Sequence, residues 1–193
     1  MEHISNAVPF GMNMQGFITG SKLHLRPLEM ADIDRGYYHW FNDPEITRYM
    51  FRGAFPVTRE SAIDFLQKSR NSTTMLHFAI VDTETNTHIG CCSLEDIDWI
   101  NRVAESNIII GEKGFHGRGY GKEAKYILAR HGFQTLNLHR IFVGLHADNI
   151  AERRASEWVG FQVEGTLRQA MFKDGQYHDR IIMSILPQEL RHI

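Results

Sequence analysis

The chain has little of what marks several large functional classes. Its 193 residues include only two cysteines, Cys91 and Cys92, and their adjacency argues against an ordinary structural disulfide and suits a reducing cytosol. Basic and acidic residues nearly balance, 21 against 23 for a formal charge of −2, and no basic block occurs. Nucleic acid and anionic membranes are therefore not expected as partners. No apolar run is long enough to cross a bilayer, and the first twenty residues carry Glu2 without a basic n-region, so neither a span nor a signal peptide is expected. Eleven histidines are scattered without H-E-x-x-H or paired Cys/His spacing, so no metal is expected. Internal repeats and low-complexity linkers are also missing. What remains is a cytoplasmic protein with 42% apolar residues, enough for the core of one domain, and with a small-molecule partner.

One stretch carries chemistry. Ile108-Ile109-Ile110 closes an apolar, β-branched run, and a loop follows with glycine at 114, 117, 119 and 121. A helical face begins at Tyr120 and continues through Ala124, Ile127 and Leu128. Strand, glycine loop and helix together make a phosphate cradle. Glycines let backbone N–H groups converge, the helix N-terminus adds partial positive charge, and Arg118 and Lys122 add full charges. A P-loop is excluded, because Gly121-Lys122 is followed by Glu123 and position 116 is His. Gly119-x-Gly121-x-x-Ala124 also matches the dinucleotide fingerprint. Against it, Gly111 to Arg118 separate the strand from that glycine turn, and Asp148 lies beyond the usual spacing of about 20 residues. A third reading is an acyl-CoA loop of the form Q/R-x-x-G-x-G/A, which aligns onto His116-Gly117-Arg118-Gly119-Tyr120-Gly121 with only His116 departing.

The remaining elements can be placed around that loop. Residues 1–20 show no clear period and read as an extension or arm, with one domain over 21–193. Lys22 to Arg26 alternates as a strand, and Glu29 to Phe41 reads as a helix with Ile33, Tyr37 and Trp40 on one face. Asp43 with Pro44 at the first helical position starts a short second helix, and Thr58 opens a third through about Ser69. Leu76–Val81 and His88–Leu94 form a hairpin, Arg102–Ile110 is the next strand, and the helix from Tyr120 returns to a parallel strand at Arg140–His146. Asp148-Asn149 caps a last helix ending at Gly160, and two strands flank Asp174-Gly175, a strong hairpin signal.

That order, the loop at 116–121, and Asn149 followed eleven residues on by Gly160-Phe161 resemble the GNAT superfamily of N-acetyltransferases, in particular its RimJ/RimL-like branch. The resemblance covers about Ser21 to Leu186. Val103 to Ile110, Gln134 to Arg140, and Val163 to Arg168 with the hairpin Lys173 to Asp179 look most like bacterial spermidine N-acetyltransferases. Trp40 to Ile46 with Arg48-Tyr49 is similar to acetyltransferases of amino-sugar nucleotides. The resemblance implies a mixed α/β fold: a twisted, mostly antiparallel sheet of about seven strands, split between the fourth and fifth, with about four flanking helices. It further implies acetyl-CoA as co-substrate, with pantetheine along Ile108, Ile109 and Ile110, pyrophosphate on His116, Gly117, Arg118, Gly119, Tyr120, Gly121 and Lys122, and a further contact at Asn149.

A substrate amine like that of lysine, with a pKa of about 10.4, is almost wholly protonated at neutral pH, so a base must take its proton. Glu105, three residues before the isoleucine run, is the candidate base, and its other reading is a solvated strand carboxylate. A bulge in the isoleucine strand could aim a free N–H at the developing oxyanion. The tyrosine that protonates the departing thiolate in many relatives falls at Ser156, which could donate a hydrogen bond or could bond its own helix backbone. His116 could cap backbone groups or carry charge toward phosphate. Tyr38, Phe41, Tyr49 and Phe51 could wall an acceptor pocket, whereas Tyr37 and Trp40 fit a core stripe. The acceptor is read as a small-molecule amine, with a polyamine ahead of an amino-sugar nucleotide and a ribosomal-protein N-terminus. Arg48, Arg52, Arg59, Lys68 and Arg70 lean instead toward an anionic acceptor. A CoA-binding module without turnover is the alternative of another class, and the C-terminal hairpin with the N-terminal arm could pair two chains as a homo-oligomer.

Overall fold

The computed structural model describes residues 16–50 and 53–192; Phe51, Arg52 and most of the N-terminal extension lie outside the described residues. Eight strands form one sheet: β1 (Ile18–Thr19), β2 (Leu23–Pro27), β3 (Leu76–Asp82), β4 (His88–Asp98), β5 (Val103–Ile110), β6 (Arg140–His146), β7 (Gln162–Lys173) and β8 (Gln176–Ile185). Their spatial order is β1-β2-β3-β4-β5-β6-β8-β7, and only β5 and β6 run parallel. This exceeds the predicted seven by β1, in which Ile18 and Thr19 of the supposed arm pair with Leu25 and His24. A two-residue strand leaves too short an alternation to read from sequence.

Helices cover both faces. On one lie α1 (Met30–Asp32), α2 (Tyr38–Asn42), α3 (Pro44–Thr47) and α4 (Arg59–Arg70); on the other lie α5 (Tyr120–Gln134) and α6 (Ile150–Val159). Alternation along the strands feeds two separate cores. Ile80, Cys92, Leu94 and Ile108 pack toward α5, while Ala79, Val81, Cys91 and Ile109 pack toward α1–α4. Burying a side chain such as Ile80 or Leu94, each at 0% exposure, contributes about 1.5–3 kcal/mol.

The predicted helix over Glu29–Phe41 is interrupted. A wider π-type turn spans Ile33–Tyr37, and Gly36 takes φ 151° where the Trp40 indole lies within 3.1 Å of any added Cβ. Asp43 Oδ1 accepts from the backbone N–H groups of Glu45 and Ile46, capping α3 with Pro44 in its first turn. Thr58 and Ser61 cap α4 reciprocally, with Ser61 standing where Glu or Gln is usual. At the β7–β8 turn Asp174 and Gly175 both have positive φ, 50° and 79°, as a two-residue hairpin demands.

Candidate active site

β5 and β6 pair only over Val103–Glu105 against Arg140–Phe142, then diverge. A cleft of about 250 Å³ occupies the gap. Its walls include Glu105, Asn107, Ile108 and Ile109 from β5, Val143 to Leu145 from β6, and Asn149 and Glu152 from the start of α6. Asn149 Oδ1 accepts from the Glu152 N–H, which fixes that helix end against the cleft. The bulge expected in the isoleucine strand is not there. β5 pairs in unbroken register with β4 from Glu105↔Glu95 to Ile110↔Gly90, and the irregularity falls between Glu95 and Asp98 on β4. Where β6 has separated from β5, that edge of β5 has lost its ladder partner and faces the cleft.

The glycine loop stands at the far end of β5. Gly117 and Gly119 adopt left-handed φ of 71° and 89°, and nothing lies within 4 Å of a Cβ added at Gly117. Gly119 is the residue before α5, whose first-turn N–H groups have no intrahelical acceptor. A concave backbone surface at a helix N-terminus, with Arg118, Lys122 and Lys22 beside it, fits a diphosphate. Lys22 joins because its Nζ reaches the Arg118 carbonyl at 3.3 Å. His116 Nε2 donates to the Ile110 carbonyl at 2.8 Å, tying the loop to the strand end. Tyr120 turns inward. Its hydroxyl donates to Asp82 Oδ1 at 2.6 Å, and this bond holds the phenol above its ordinary pKa, so only its backbone is offered to the cradle. Lys122 Nζ lies over the Trp158 ring at 4.4 Å. The loop is braced from α2, where Trp40 Nε1 donates to Glu112 Oε1 at 3.2 Å and any Cβ at Gly111 would strike the indole.

On the α1–α4 side of the sheet the cleft wall is aromatic and acidic. Tyr37, Phe41, Tyr49 and Phe65 line it with Glu95, Glu105 and His77. Glu105 and Glu95 are directly opposite each other across the β4–β5 ladder, so both side chains rise from the same face. Arg180 of β8 crosses over Gly144 to meet Glu105 Oε1 at 2.8 Å, a path that any side chain at 144 would block. Burial lifts the Glu105 carboxyl above its usual value, with Arg180 opposing. Glu95 Oε1 accepts from Ser93 Oγ at 2.7 Å and lies 3.5 Å from His77 Nε2. The sequence reading missed Glu95, His77 and Arg180. The Cys91-x-Ser93-x-Glu95 alternation puts two polar residues on one strand face, but which face opens to the cleft depends on the register with β5.

Not every predicted residue gathers here. Ile110 and His116 to Lys122 lie at the loop end, outside the cleft walls, and Ser156 is fully buried in α6 with no hydrogen-bond partner for its Oγ among the described residues. Beside the cleft, Lys125 is wholly buried and its Nζ lies 2.6 Å from Glu152 Oε1, in ionic contact though off the line of a hydrogen bond. Of the basic residues that leaned toward an anionic acceptor, Arg48, Arg59, Lys68 and Arg70 do not line the cleft. Arg59 pairs with Asp34, Arg70 donates to the Leu28 carbonyl, and Arg48 lies over Tyr49. His146, Asp148 and His178 bring ligand atoms within 4.8 Å of one another near the end of β6. His146 Nδ1 there already accepts the Asp148 N–H at 3.1 Å.

Comparison with known proteins agrees with this architecture. A p20 protein of Bacillus licheniformis, described as an uncharacterized N-acetyltransferase, is 33% identical over 172 residues, covering 87% of this chain and 94% of that one. The spermidine N(1)-acetyltransferase of Escherichia coli K12 is 29% identical over 166 residues, 86% of each chain. The crystal structure of Vibrio cholerae spermidine N-acetyltransferase in complex with CoA and spermine superposes with a TM-score of 0.81 at 28% identity, covering 88% of this chain and 98% of that one. The family model described as the acetyltransferase (GNAT) domain matches residues 22–162, and the chain belongs to that family.

Proposed function

We propose that the protein transfers the acetyl group of acetyl-CoA to a primary amine that arrives as a cation, a polyamine foremost. The charge of the cleft carries this reading. Among the described residues three carboxylates line it, Glu95, Glu105 and Glu152, against Arg180; Lys125 neutralises Glu152 from behind, so these groups leave one negative charge over. An ammonium group balances that charge, whereas a sugar-nucleotide diphosphate would add to it. Tyr37, Phe41, Tyr49 and Phe65 supply faces for an alkylammonium chain. Two of the similar proteins described above are named for spermidine, which favours the same acceptor class.

In this reading acetyl-CoA supplies the thioester that the amine attacks directly. Gly117, Gly119 and the first turn of α5 hold the diphosphate with Arg118, Lys122 and Lys22, and Ile108 to Ile110 with Asn149 line the pantetheine path. The cleft walls bring the amine to the unpaired edge of β5 and limit water there, which strengthens the charge interactions. The buried Ser156 hydroxyl does not reach the cleft, so solvent protonates the departing thiolate. The test is release of free CoA thiol with a panel of spermidine, spermine, a UDP-amino sugar and a peptide N-terminus. Turnover with the polyamines is expected. Turnover only with the anionic acceptor would overturn the acceptor class, and CoA binding without any turnover would favour a binding module.

A further inference from the structure

The geometry points to Glu95, rather than Glu105, as the residue that receives the acceptor's ammonium and takes its proton; this assignment rests on the amine-transferase reading above. The two carboxylates face each other across an antiparallel ladder, a placement that is unfavourable for like charges unless something intervenes. Arg180 intervenes at Glu105, meeting its Oε1 at 2.8 Å. Glu105 is therefore already paired, and drawing its charge toward an incoming cation means breaking a partly buried ion pair.

Glu95 is held differently. Its polar neighbours are the Ser93 hydroxyl, donating at 2.7 Å, and the His77 ring, 3.5 Å away and packed edge-on against Phe65. These groups orient the carboxylate without cancelling its charge unless His77 is protonated. Among the described residues the cleft thus has one carboxylate paired with a guanidinium and one, on the same sheet face, that is not. An ammonium entering between them completes an alternating set of Arg180, Glu105, substrate and Glu95.

The proton balance follows. The ammonium gives one proton to the Glu95 carboxylate, and the freed nitrogen lone pair forms the C–N bond to the acetyl carbon as the C–S bond breaks. The second nitrogen proton leaves as the amide forms, so one of the two ends on the thiolate sulfur and the other passes to solvent. Glu95 returns to its carboxylate form. No redox partner or metal is required.

The experiment compares E95Q, E95D and E105Q with the unmodified chain, reading kcat for spermidine against pH, acetyl-CoA affinity by calorimetry, and melting temperature. E95Q is expected to lower kcat by about 10²- to 10³-fold and to abolish the acid limb of the profile, with acetyl-CoA affinity within twofold. E95D should keep the limb at reduced rate, because it retains a base at a longer reach. E105Q should keep the limb, with a lower melting temperature and a raised KM for spermidine. An active chain whose E95Q variant keeps kcat within threefold and keeps its acid limb overturns this assignment alone. A chain that acetylates no amine overturns the functional reading and this assignment with it.

Discussion

The two faces of the sheet do different work, and they differ in how they are built. On the α5–α6 face the proposed donor end is one contiguous stretch, Ile108 to Lys122, in which strand, turn and helix follow directly in the chain. On the α1–α4 face the proposed acceptor end is built from side chains of β3, β4, β5 and β8 and of the short helices, which meet only in space. Contiguous backbone makes a phosphate cradle robust to side-chain choice, because the groups that bind are N–H groups. A convergent pocket is set residue by residue, which is where an acceptor can be chosen.

Substitutions can break this contrast. The largest effect is expected on the donor side: Gly119→Val forces a β-branched residue into φ 89° at the start of α5. Acetyl-CoA affinity by calorimetry should fall at least about 100-fold, as the loss of several aligned donors implies. Next comes the pair that joins α5 to α6 beside the cleft, since Lys125→Met leaves Glu152 without its buried partner. Denaturant unfolding should show a loss of about 2–4 kcal/mol, largely recovered in a Lys125→Met, Glu152→Leu double variant.

A third effect belongs to the acceptor side alone. His88 is buried 3.3 Å from Asp32, but Arg26 claims that carboxylate with two bonds of 2.7 Å. Burial lowers the His88 pKa to about 4, with Asp32 only partly opposing. Because the unfolded chain binds this proton more readily, the stability from a neutral His88 is complete above pH 6.5 and is lost as pH falls toward 4. Unfolding titrations should show up to about 3 kcal/mol lost across that window, and His88→Phe should flatten the slope. The smallest effect sharpens the contrast from outside either site: Gly175→Ala at φ 79° should cost about 1 kcal/mol and leave acetyl-CoA affinity unchanged.

The same contrast explains what could be read beforehand. The glycine loop, the Asp43-Pro44 and Asn149 caps and the Asp174-Gly175 turn are local, so residue type and spacing reveal them. The break at Gly36 was hidden, since Ile33, Tyr37 and Trp40 keep helical spacing on either side and only the Trp40 indole against Gly36 explains it. Glu105 was visible because it adjoins the isoleucine run. Glu95 was not, because its importance comes from a cross-strand register, and Arg180 depends on a gap left by Gly144. Arg48, Arg59, Lys68 and Arg70 do not line the cleft for a related reason: charge in the sequence does not say which way a side chain turns.

The most direct test of the central claim is steady-state release of CoA thiol with spermidine and a UDP-amino sugar offered to the same preparation. The account predicts saturable turnover of spermidine, weakened by added salt, and none of the amino-sugar nucleotide. Turnover of the nucleotide with no response to spermidine would contradict it.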